Sequence, residues 1–298
     1  MMEKTVAKCI ACNSSKVKYI VEKSLEWGKL LKCSNCGHIT LILSQEAEAE
    51  HSEGDYWDPK GENFKIYNNP DVQADEERKY KIFLEEIEKA TTGRRLLDIG
   101  CGLGHFLYFM EKRDWDGAGL EPSTYAHQNR LEGNFEHKVG LVDTYKGAVN
   151  EFDLVTLWDV IEHLENPFDV LKRIRSLLKS KGYIILETPN EDCLLRKVIK
   201  LVYITTFGWI NLLPYLYYPA HLHYFTPKSM NLLCKRLGMN MEAVGKVSSS
   251  PTKILLKYKA HHSDRKWFNL INSLMVPALK VGSILKSGNK MLIKIRNN

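Results

Sequence analysis

The feature that most constrains the fold is a glycine-rich turn that follows a short apolar run. Residues 95–99 (RLLDI) are typical of a buried strand in a parallel sheet. Gly100, Gly102 and Gly104 come next, and an apolar helical segment begins directly after them. Glycine lets the backbone approach a ligand where any side chain would collide with it. Strand, glycine turn and helix together predict the first unit of an α/β nucleotide-binding domain.

The spacing of the glycines and a downstream acid narrow the type of nucleotide. The dinucleotide-binding fingerprint is G-x-G-x-x-G, whereas this turn reads G-x-G-x-G and is preceded by Asp98. A second predicted strand, residues 117–120, ends in Glu121. A carboxylate at the end of the second strand is placed to accept hydrogen bonds from both ribose hydroxyls. The pattern therefore predicts a nucleoside ligand.

These residues resemble the D-x-G-x-G-x-G loop and the second-strand acid of class I S-adenosylmethionine-dependent methyltransferases. The resemblance implies that the loop wraps the methionine part of the cofactor and that Glu121 binds its ribose. It also implies an adenine contact after the third strand, for which Asp143 is the candidate, although a solvated loop acid explains Asp143 equally well. The positions expected at the cofactor are Asp98, Gly100, Cys101, Gly102, Gly104, Glu121, Pro122, Asp143 and Trp158.

The resemblance extends along the chain and implies the whole sheet. The segment 158–164 (WDVIEHL) is similar to a motif of quinone-type and sugar-type members. We predict an α/β fold, a Rossmann-like seven-stranded methyltransferase sheet with helices on both faces, plus a small N-terminal zinc ribbon. The further predicted elements are a helix over Glu76–Ala90, strands over 152–157 and 182–187, and a closing antiparallel pair formed by Met239–Val247 and Lys253–Tyr258.

Four cysteines near the N-terminus indicate a metal site. Cys9 and Cys12 form one Cys-x-x-Cys pair, and Cys33 and Cys36 form a second pair twenty residues later, a spacing typical of zinc ribbons. Each two-residue gap lets a tight turn direct two thiolates at one ion, and four thiolates leave no open position for a reacting water. We predict structural Zn²⁺; disulfides or unrelated free thiols are the alternatives, and His38 is a substitute ligand to consider.

Three histidines are candidates for a catalytic base, which needs a pKa near 7. His163 lies in the motif after the fourth strand, and His221 and His223 lie in A-H-L-H-Y-F-T. Alternate residues of an extended segment point to the same side, so we expect the last two to face one pocket. The H-x-H segment is loosely similar to that of zinc-ribbon-bearing sugar C-methyltransferases, but Leu222 replaces their acting glutamate. Packing or capping roles remain the alternative.

An apolar insertion and a basic tail suggest a surface role. Residues 201–227 contain no Asp, Glu, Lys or Arg, but Gly208 and Pro214 interrupt the run, so we predict a lid over the acceptor pocket rather than a membrane span. The chain has 42 Lys and Arg against 36 Asp and Glu, and seven of the cations lie in the acid-free stretch 265–298. An apolar helical stripe there runs from Trp267 to Leu285.

A basic amphipathic segment is typical of contact with a membrane surface. Peripheral membrane contact through 201–218 and 265–298 is therefore an expectation, while core packing of the lid and docking of the tail on the body are equally simple alternatives. The predicted domains are a zinc-ribbon-like domain over 1–45, a linker and lid over 46–75, a methyltransferase domain over 76–260 with an apolar insertion at 190–227, and a basic amphipathic tail over 261–298.

We predict an enzyme that moves a methyl group from S-adenosylmethionine to a small-molecule, sugar or lipid-linked acceptor. The polar start of the chain and its odd number of cysteines, seven, favour a cytoplasmic location. An RNA or tRNA methyltransferase is the first alternative, but nucleic acid is not the expected partner because the body outside the tail is close to neutral. A non-catalytic protein that senses the cofactor or acts as a scaffold is the second alternative.

Overall fold

The computed structural model describes residues 8–20, 25, 27–47, 57, 62–217, 220–250, 252–253, 256 and 288–298. These residues form a seven-stranded sheet in the order β10-β11-β8-β7-β4-β5-β6 and a four-stranded sheet in the order β1-β2-β3-β9. The strands are β1 (Val17–Tyr19), β2 (Gly28–Cys33), β3 (Ile39–Leu43), β4 (Arg95–Ile99), β5 (Asp116–Glu121), β6 (Glu136–Val139), β7 (Phe152–Trp158), β8 (Leu178–Pro189), β9 (His223–Tyr224), β10 (Met239–Val247) and β11 (Lys290–Asn297).

The helices cover both faces of the large sheet's core. They are α1 (Glu62–Tyr67), α2 (Pro70–Tyr80), α3 (Leu84–Ala90), α4 (His105–Glu111), α5 (Thr124–Gln128), α6 (Pro167–Leu177), α7 (Leu194–Thr205) and α8 (Pro227–Arg236), with short 3₁₀ turns at Ile161–His163 and Leu213–Tyr215. The single helix predicted over Glu76–Ala90 is wrong. Phe83, at a φ of 67°, adopts the left-handed conformation and separates α2 from α3, because a continuous right-handed helix cannot pass through such a residue.

Strands β4 to β8 are parallel, as the predicted α/β domain requires, and β4 has the predicted limits. Its apolar run arises because both faces of the sheet are covered: Leu96 and Leu97 point to opposite faces, and both are fully buried. The predicted seven-stranded methyltransferase-type sheet is therefore confirmed. Its parallel strands bring their carboxyl ends to one edge, where ligands bind in open α/β sheets.

The closing strand of the sheet comes from the C-terminus. β11 pairs with β10 on one side and with β8 on the other, so the predicted partner strand, Lys253–Tyr258, is wrong, and Lys253 is helical. Residues 290–297 therefore belong to the methyltransferase-type sheet and not to a separate tail. Their lysines are paired with carboxylates at the sheet, which the sequence does not reveal. The rest of the predicted tail, 261–287, lies outside the described residues.

The N-terminal strands are continuous with the main domain. β3 pairs with β9, so the small sheet takes one strand from the segment that precedes α8. Apolar side chains on β2 and β3 pack against the 190–227 insertion, in a cluster that includes Leu30, Ile39, Leu213, Tyr217 and Tyr224. Among the described helices, none has both the length and the apolar character that a bilayer crossing needs.

Candidate functional site

The glycine-rich turn after β4 presents bare backbone to its neighbours. Gly100, Gly102 and Gly104 have φ values of 68°, 53° and 84°, a region that other residues rarely adopt. A Cβ on Gly100 would lie 2.4 Å from Cγ2 of Val160, and one on Gly102 would lie 2.4 Å from the ring of Trp57. The turn therefore packs against Val160, which follows β7, and against Trp57, and no larger residue fits at these two positions without displacing its neighbours.

Two buried carboxyl groups flank this turn. Glu121 at the end of β5 accepts hydrogen bonds from the N–H of Gly102 at 2.9 Å and the N–H of Ser123 at 3.1 Å. Asp98 at the end of β4 accepts one from Oγ1 of Thr156 at 2.7 Å, and burial raises its pKa to about 8. Both side chains are almost fully buried. The predicted loop and second-strand acid thus meet at one point of the sheet edge.

Aromatic side chains line the same edge. The ring of Trp158 lies 4.8 Å from that of Tyr80 and 5.0 Å from that of Phe106, between centroids. Nε1 of Trp158 and Nε2 of His105 are buried without a hydrogen-bond partner in the described part of the chain. Buried polar atoms are normally satisfied, so each of these two atoms is available to a polar ligand atom or a water.

A carboxyl group and two histidines meet beyond the end of β7. Ligand atoms of Glu162, His163 and His221 all lie within 4.8 Å of one another, and the two imidazole rings are edge to face at 4.7 Å. The Nδ1–H of His163 donates to the carbonyl of Ala220 at 2.6 Å. In the neutral ring, Nε2 therefore carries the lone pair that can accept a proton. This Glu–His cluster can move a proton, and it also has the donors of a divalent metal site.

Glu162 is the buried member of the Glu–His cluster. Its side chain is fully buried, Oε2 accepts a hydrogen bond from Thr188 at 3.0 Å, and Oε1 has no partner among the described residues. Burial, together with the nearby negative charge of Asp159, raises the pKa of Glu162 to about 8. The carboxyl group is therefore close to its ionisation point at neutral pH, where a cationic neighbour would favour the carboxylate.

The four cysteines of the N-terminal segment form a compact thiol cluster. Their sulfur atoms lie within 4.8 Å of one another, with 3.6 Å between Sγ of Cys9 and Cys36 and 3.6 Å between Sγ of Cys12 and Cys33. Four thiolates around Zn²⁺ at its usual bond length would be separated by about 3.8 Å. The donor set and the spacing thus fit a closed tetrahedral site. His38 is not part of the cluster, because its Nε2 hydrogen-bonds to His223.

Comparison with known proteins assigns the chain to a family. A family model described as a methyltransferase domain matches residues 72–244, which is more than half of the chain. The chain belongs to this methyltransferase family. It has the class I fold of S-adenosylmethionine-dependent members, as the loop and sheet predicted.

Curated relatives of the methyltransferase include two ubiquinone biosynthesis O-methyltransferases. The protein from Shewanella pealeana is 25% identical over 169 residues, which is 52% of this chain and 66% of the relative. That from Aeromonas salmonicida is 26% identical over 157 residues, covering 50% of this chain and 63% of the relative. The match thus spans just under two thirds of these relatives' length.

Solved structures share the fold at low identity. The plantazolicin methyltransferase BpumL, solved with SAH, has a TM-score of 0.53 at 18% identity and covers 85% of this chain and 97% of its own. A Galdieria sulphuraria protein assigned as a sarcosine dimethylglycine methyltransferase has a TM-score of 0.52 at 13% identity, covering 76% of this chain and 86% of its own. These likenesses support the fold of the methyltransferase and say nothing of its acceptor.

In the folded methyltransferase most of the predicted site residues lie close to one another, and a few lie apart. His221 and His163 meet, whereas His223 is buried in β9, where its Nδ1 lies 3.2 Å from Nε2 of His38 and burial lowers its pKa to about 4. Asp143 lies exposed in a turn after β6, and Pro122 is also exposed. The two histidines of the H-x-H segment therefore contact different partners, although the alternation of the strand suggested a shared pocket.

The structure also reveals a charged network that the sequence argument missed. Lys290 of β11 contacts Asp159 and lies 2.6 Å from Glu187, and Lys79 lies 2.8 Å from Glu187. Lys253 joins Asp159 to Glu76 through contacts of 3.5 and 3.1 Å. Asp159 has a φ of 56°, and its Oδ1 is buried without a partner in the described residues. The sequence contains one sign of this network, the acid that directly follows β7. The lysines that pair with this acid are distant in the sequence, so the pattern does not reveal them.

Proposed function

We propose that this methyltransferase transfers a methyl group from S-adenosylmethionine to a hydroxyl oxygen of a small, largely apolar molecule. The observation that carries the proposal is the Glu–His cluster. It follows β7 directly, and Val160 of the same segment packs on Gly100 of the glycine turn. The same short segment thus carries both the contact with the turn, at Val160, and, beginning two residues later, a proton-accepting cluster of the kind that methylation of a hydroxyl group uses.

The cofactor fits the residues at the sheet edge. Glu121 would hold the ribose hydroxyls, and the backbone of the turn would face the methionine portion, with Asp98 beside it. The indole N–H of Trp158, which has no partner in the described residues, is available to a polar ligand atom. Asp143 is the proposed adenine contact. When bound, S-adenosylmethionine supplies a methyl carbon made electrophilic by its sulfonium.

The chain itself supplies orientation and a proton acceptor. The lone pair on Nε2 of His163, with His221 beside it, would take the proton of the acceptor hydroxyl as its oxygen bonds to the methyl carbon. The products would be a methyl ether, S-adenosylhomocysteine and an imidazolium. The ionised form of Glu162, which is accessible near neutral pH because its pKa is about 8, would stabilise that imidazolium by its opposite charge.

The proposal is tested with tritiated S-adenosylmethionine, purified protein and fractionated extract of phenolic, sugar and lipid metabolites. We expect the label to appear in a small organic molecule that chromatography and mass spectrometry identify. His163→Asn and His221→Asn should each lower the transfer rate about 100-fold or more, with the affinity for S-adenosylhomocysteine unchanged. Glu132→Gln, at an exposed loop position, is the control. Label in RNA alone, or full turnover by both variants, would contradict the proposal.

An exposed apolar surface favours an acceptor that is delivered from lipid. Leu194, Val198, Leu201 and Ile204 form one stripe along α7, and the following turn exposes Phe207 and Trp209, whose exposed fractions are 94% and 93%. The cations of this helix, Arg196, Lys197 and Lys200, pair with Glu191 and Asp192, which directly precede it. The surface is therefore apolar rather than cationic, and exposed aromatic and apolar side chains of this kind suit the interface of a bilayer. We infer that this surface, 194–210, touches lipid.

Vesicle co-sedimentation tests the lipid contact. The protein should sediment with vesicles that contain phosphatidylglycerol, and the double variant Phe207→Ser/Trp209→Ser should lose most of that binding without a change in melting temperature, because both side chains are exposed. Val149→Ser, at an exposed position in the loop before β7, is the control. Equal sedimentation of all three proteins, or none by the wild type, would remove the lipid surface as the partner.

The thiol cluster completes the proposed function as a structural Zn²⁺ site. Its four sulfur donors close the coordination shell, so the ion would contribute folding energy and no catalysis. One zinc per chain, measured by plasma emission and released by a thiol reagent, is the expected result. A stoichiometry near zero in protein purified without chelator would contradict it.

A further inference from the structure

The segment that carries His221 is held from two sides by its own backbone. The N–H of Leu222 donates to the carbonyl of Glu162 at 2.8 Å, and its carbonyl accepts from the N–H of Leu41 in β3 at 2.8 Å. The carbonyl of Ala220 accepts from Nδ1 of His163. His221 therefore lies between Ala220, which is bonded to the segment after β7, and Leu222, which is bonded both to that segment and to the N-terminal sheet.

The thiol cluster is fixed to the same segment at several further points. Nε2 of His38 lies 3.2 Å from Nδ1 of His223. The carbonyl of Cys36 accepts from Oγ1 of Thr226 at 2.8 Å, and Thr226 is the N-cap of α8. At the other knuckle, Arg236 of α8 donates to the carbonyl of Ala11 at 3.2 Å. Both cysteine-containing turns are thus hydrogen-bonded to the segment formed by β9 and α8.

The 190–227 insertion also contacts the N-terminal sheet. Nε1 of Trp27 donates to the carbonyl of Tyr217 at 3.1 Å, and Leu30 and Leu41 of the N-terminal sheet pack with Leu213 and Tyr217. A metal-bound ribbon has few apolar residues of its own, so the ion stabilises its fold. Anything that loosens the ribbon would therefore also loosen the wall that holds His221.

We propose that the four-cysteine ribbon is a positioning element for the acceptor half of the active site, which holds His221 against Glu162 and His163 through the β3–β9 pairing. The inference rests on the proposed function only for the role of His221; the mechanical link is independent of it. The cofactor half is held differently, because Glu121 is fixed by Gly102 and Ser123 within the main sheet. Loss of the metal should therefore separate methyl transfer from cofactor binding.

Hydrogen exchange tests the link without any measurement of activity. In protein stripped of metal with a chelator, we expect the amides of Leu41 and Leu222 to exchange at least about tenfold faster, while those of Leu97 and Ile99 in β4 stay protected. Affinity for S-adenosylhomocysteine should change less than about threefold, and added Zn²⁺ should restore protection. Retained protection at Leu222 would overturn the proposal, and so would global loss of protection, which would make the ribbon a general folding element.

A pair of variants breaks the link while the metal stays. His38→Phe keeps the four thiols and the bulk of the ring but removes the bond to His223; Lys18→Gln on β1, the edge strand furthest from β9, is the matched control. With one metal per chain in each, His38→Phe should lower the transfer rate about tenfold or more with an unchanged KM for the cofactor. Wild-type rate and exchange in His38→Phe would count against the positioning role. If no acceptor is found, exchange at Leu222 alone decides the link.

Discussion

Asp98 shows how a single buried carboxyl group makes stability depend on pH. Burial raises its pKa from 3.8 to about 8, although the hydrogen bond from Thr156 opposes the shift. Between these two values the folded protein holds a proton that the unfolded chain has released. Stability is therefore greatest at the acidic end of this window and falls as the pH rises toward 8.

Asp98→Asn should flatten this decline, because the amide keeps an acceptor for Thr156 but cannot ionise. Each pKa unit corresponds to about 1.4 kcal/mol, so the variant should lose clearly less unfolding free energy than the wild type between pH 5.5 and 8.5. Urea titrations without cofactor at both values measure the difference. Glu132→Gln, an exposed loop acid, is the control, and parallel curves for wild type and Asp98→Asn would disprove the assignment.

Glu121 is the residue on which the proposed cofactor site depends most directly. Its carboxylate already accepts hydrogen bonds from two backbone N–H groups at the glycine turn, and its removal would leave the buried N–H of Gly102 without this acceptor. Hydrogen bonds to charged groups contribute about 1.5–3 kcal/mol each. Glu121→Ala should therefore weaken binding of S-adenosylhomocysteine about 10- to 100-fold in calorimetry, whereas Glu136→Ala on β6 should not. Unchanged affinity would mean that the ribose is held elsewhere.

At the scale of elements, local patterns predicted the parallel strands and missed the closing one. β4 is an apolar run with a glycine turn behind it, and that information lies within ten residues. β11 has the same kind of run, Met291–Ile295, but the lysines at 290 and 294 made it look like a solvated basic tail. Their carboxylate partners, Glu187 and Glu86, are about a hundred residues or more away. Only the folded sheet brings them together.

The same limit applies to the candidate site. The glycine turn, Glu121 and the cysteine spacing follow from short patterns, since each reflects one turn or strand end. Which histidine faces which neighbour depends on the pairing of β3 with β9, between segments far apart in sequence. The sequence therefore indicated three histidines but could not separate the buried His223 from the cluster of His163 and His221.

Substitution of Lys290 tests whether the buried charge of its side chain stabilises β11 in the sheet. Its side chain is 10% exposed and bridges Asp159 and Glu187, of which Glu187 is 1% exposed. Lys290→Met should lower the unfolding free energy by up to about 3–5 kcal/mol, because each of two carboxylates loses one of its two cations in a largely buried setting, while Lys79 remains at Glu187 and Lys253 at Asp159. Arg296→Gln on the same strand removes a more exposed pair at 3.7 Å and should cost about 0.5 kcal/mol or less. Urea unfolding of both measures this, and equal values would contradict it.

At the scale of the whole molecule, the distribution of charge bears on the choice of partner. Three cations of the acid-free C-terminal stretch, Lys290, Lys294 and Arg296, lie in β11 and face carboxylates there. Cations already paired with acids in a sheet are poor contacts for a phosphate backbone, which RNA binding by charge requires. The excess of Lys and Arg in the composition therefore provides fewer cations for binding a phosphate backbone than their number suggests. This favours a small-molecule acceptor over RNA.

Both ends of the described chain are built into the enzyme. The N-terminal ribbon takes β9 as its fourth strand, and β11 is inserted between β8 and β10, so the last strand occupies an internal position of the sheet. Deletion of residues 289–298 would expose the edges of two strands and remove the buried side chains of Met291, Ile293 and Ile295. A basic tail that only touched a surface could be removed without harm.

The deletion of 289–298 should therefore abolish folding and not merely a surface interaction. We expect loss of the cooperative thermal transition in circular dichroism and loss of S-adenosylhomocysteine binding, because β8 and β7 carry the site on their carboxyl ends. Deletion of Asn298 alone, which lies beyond β11, is the control and should keep both. A truncated protein that melts cooperatively and binds S-adenosylhomocysteine would show that the sheet closes without its C-terminal strand.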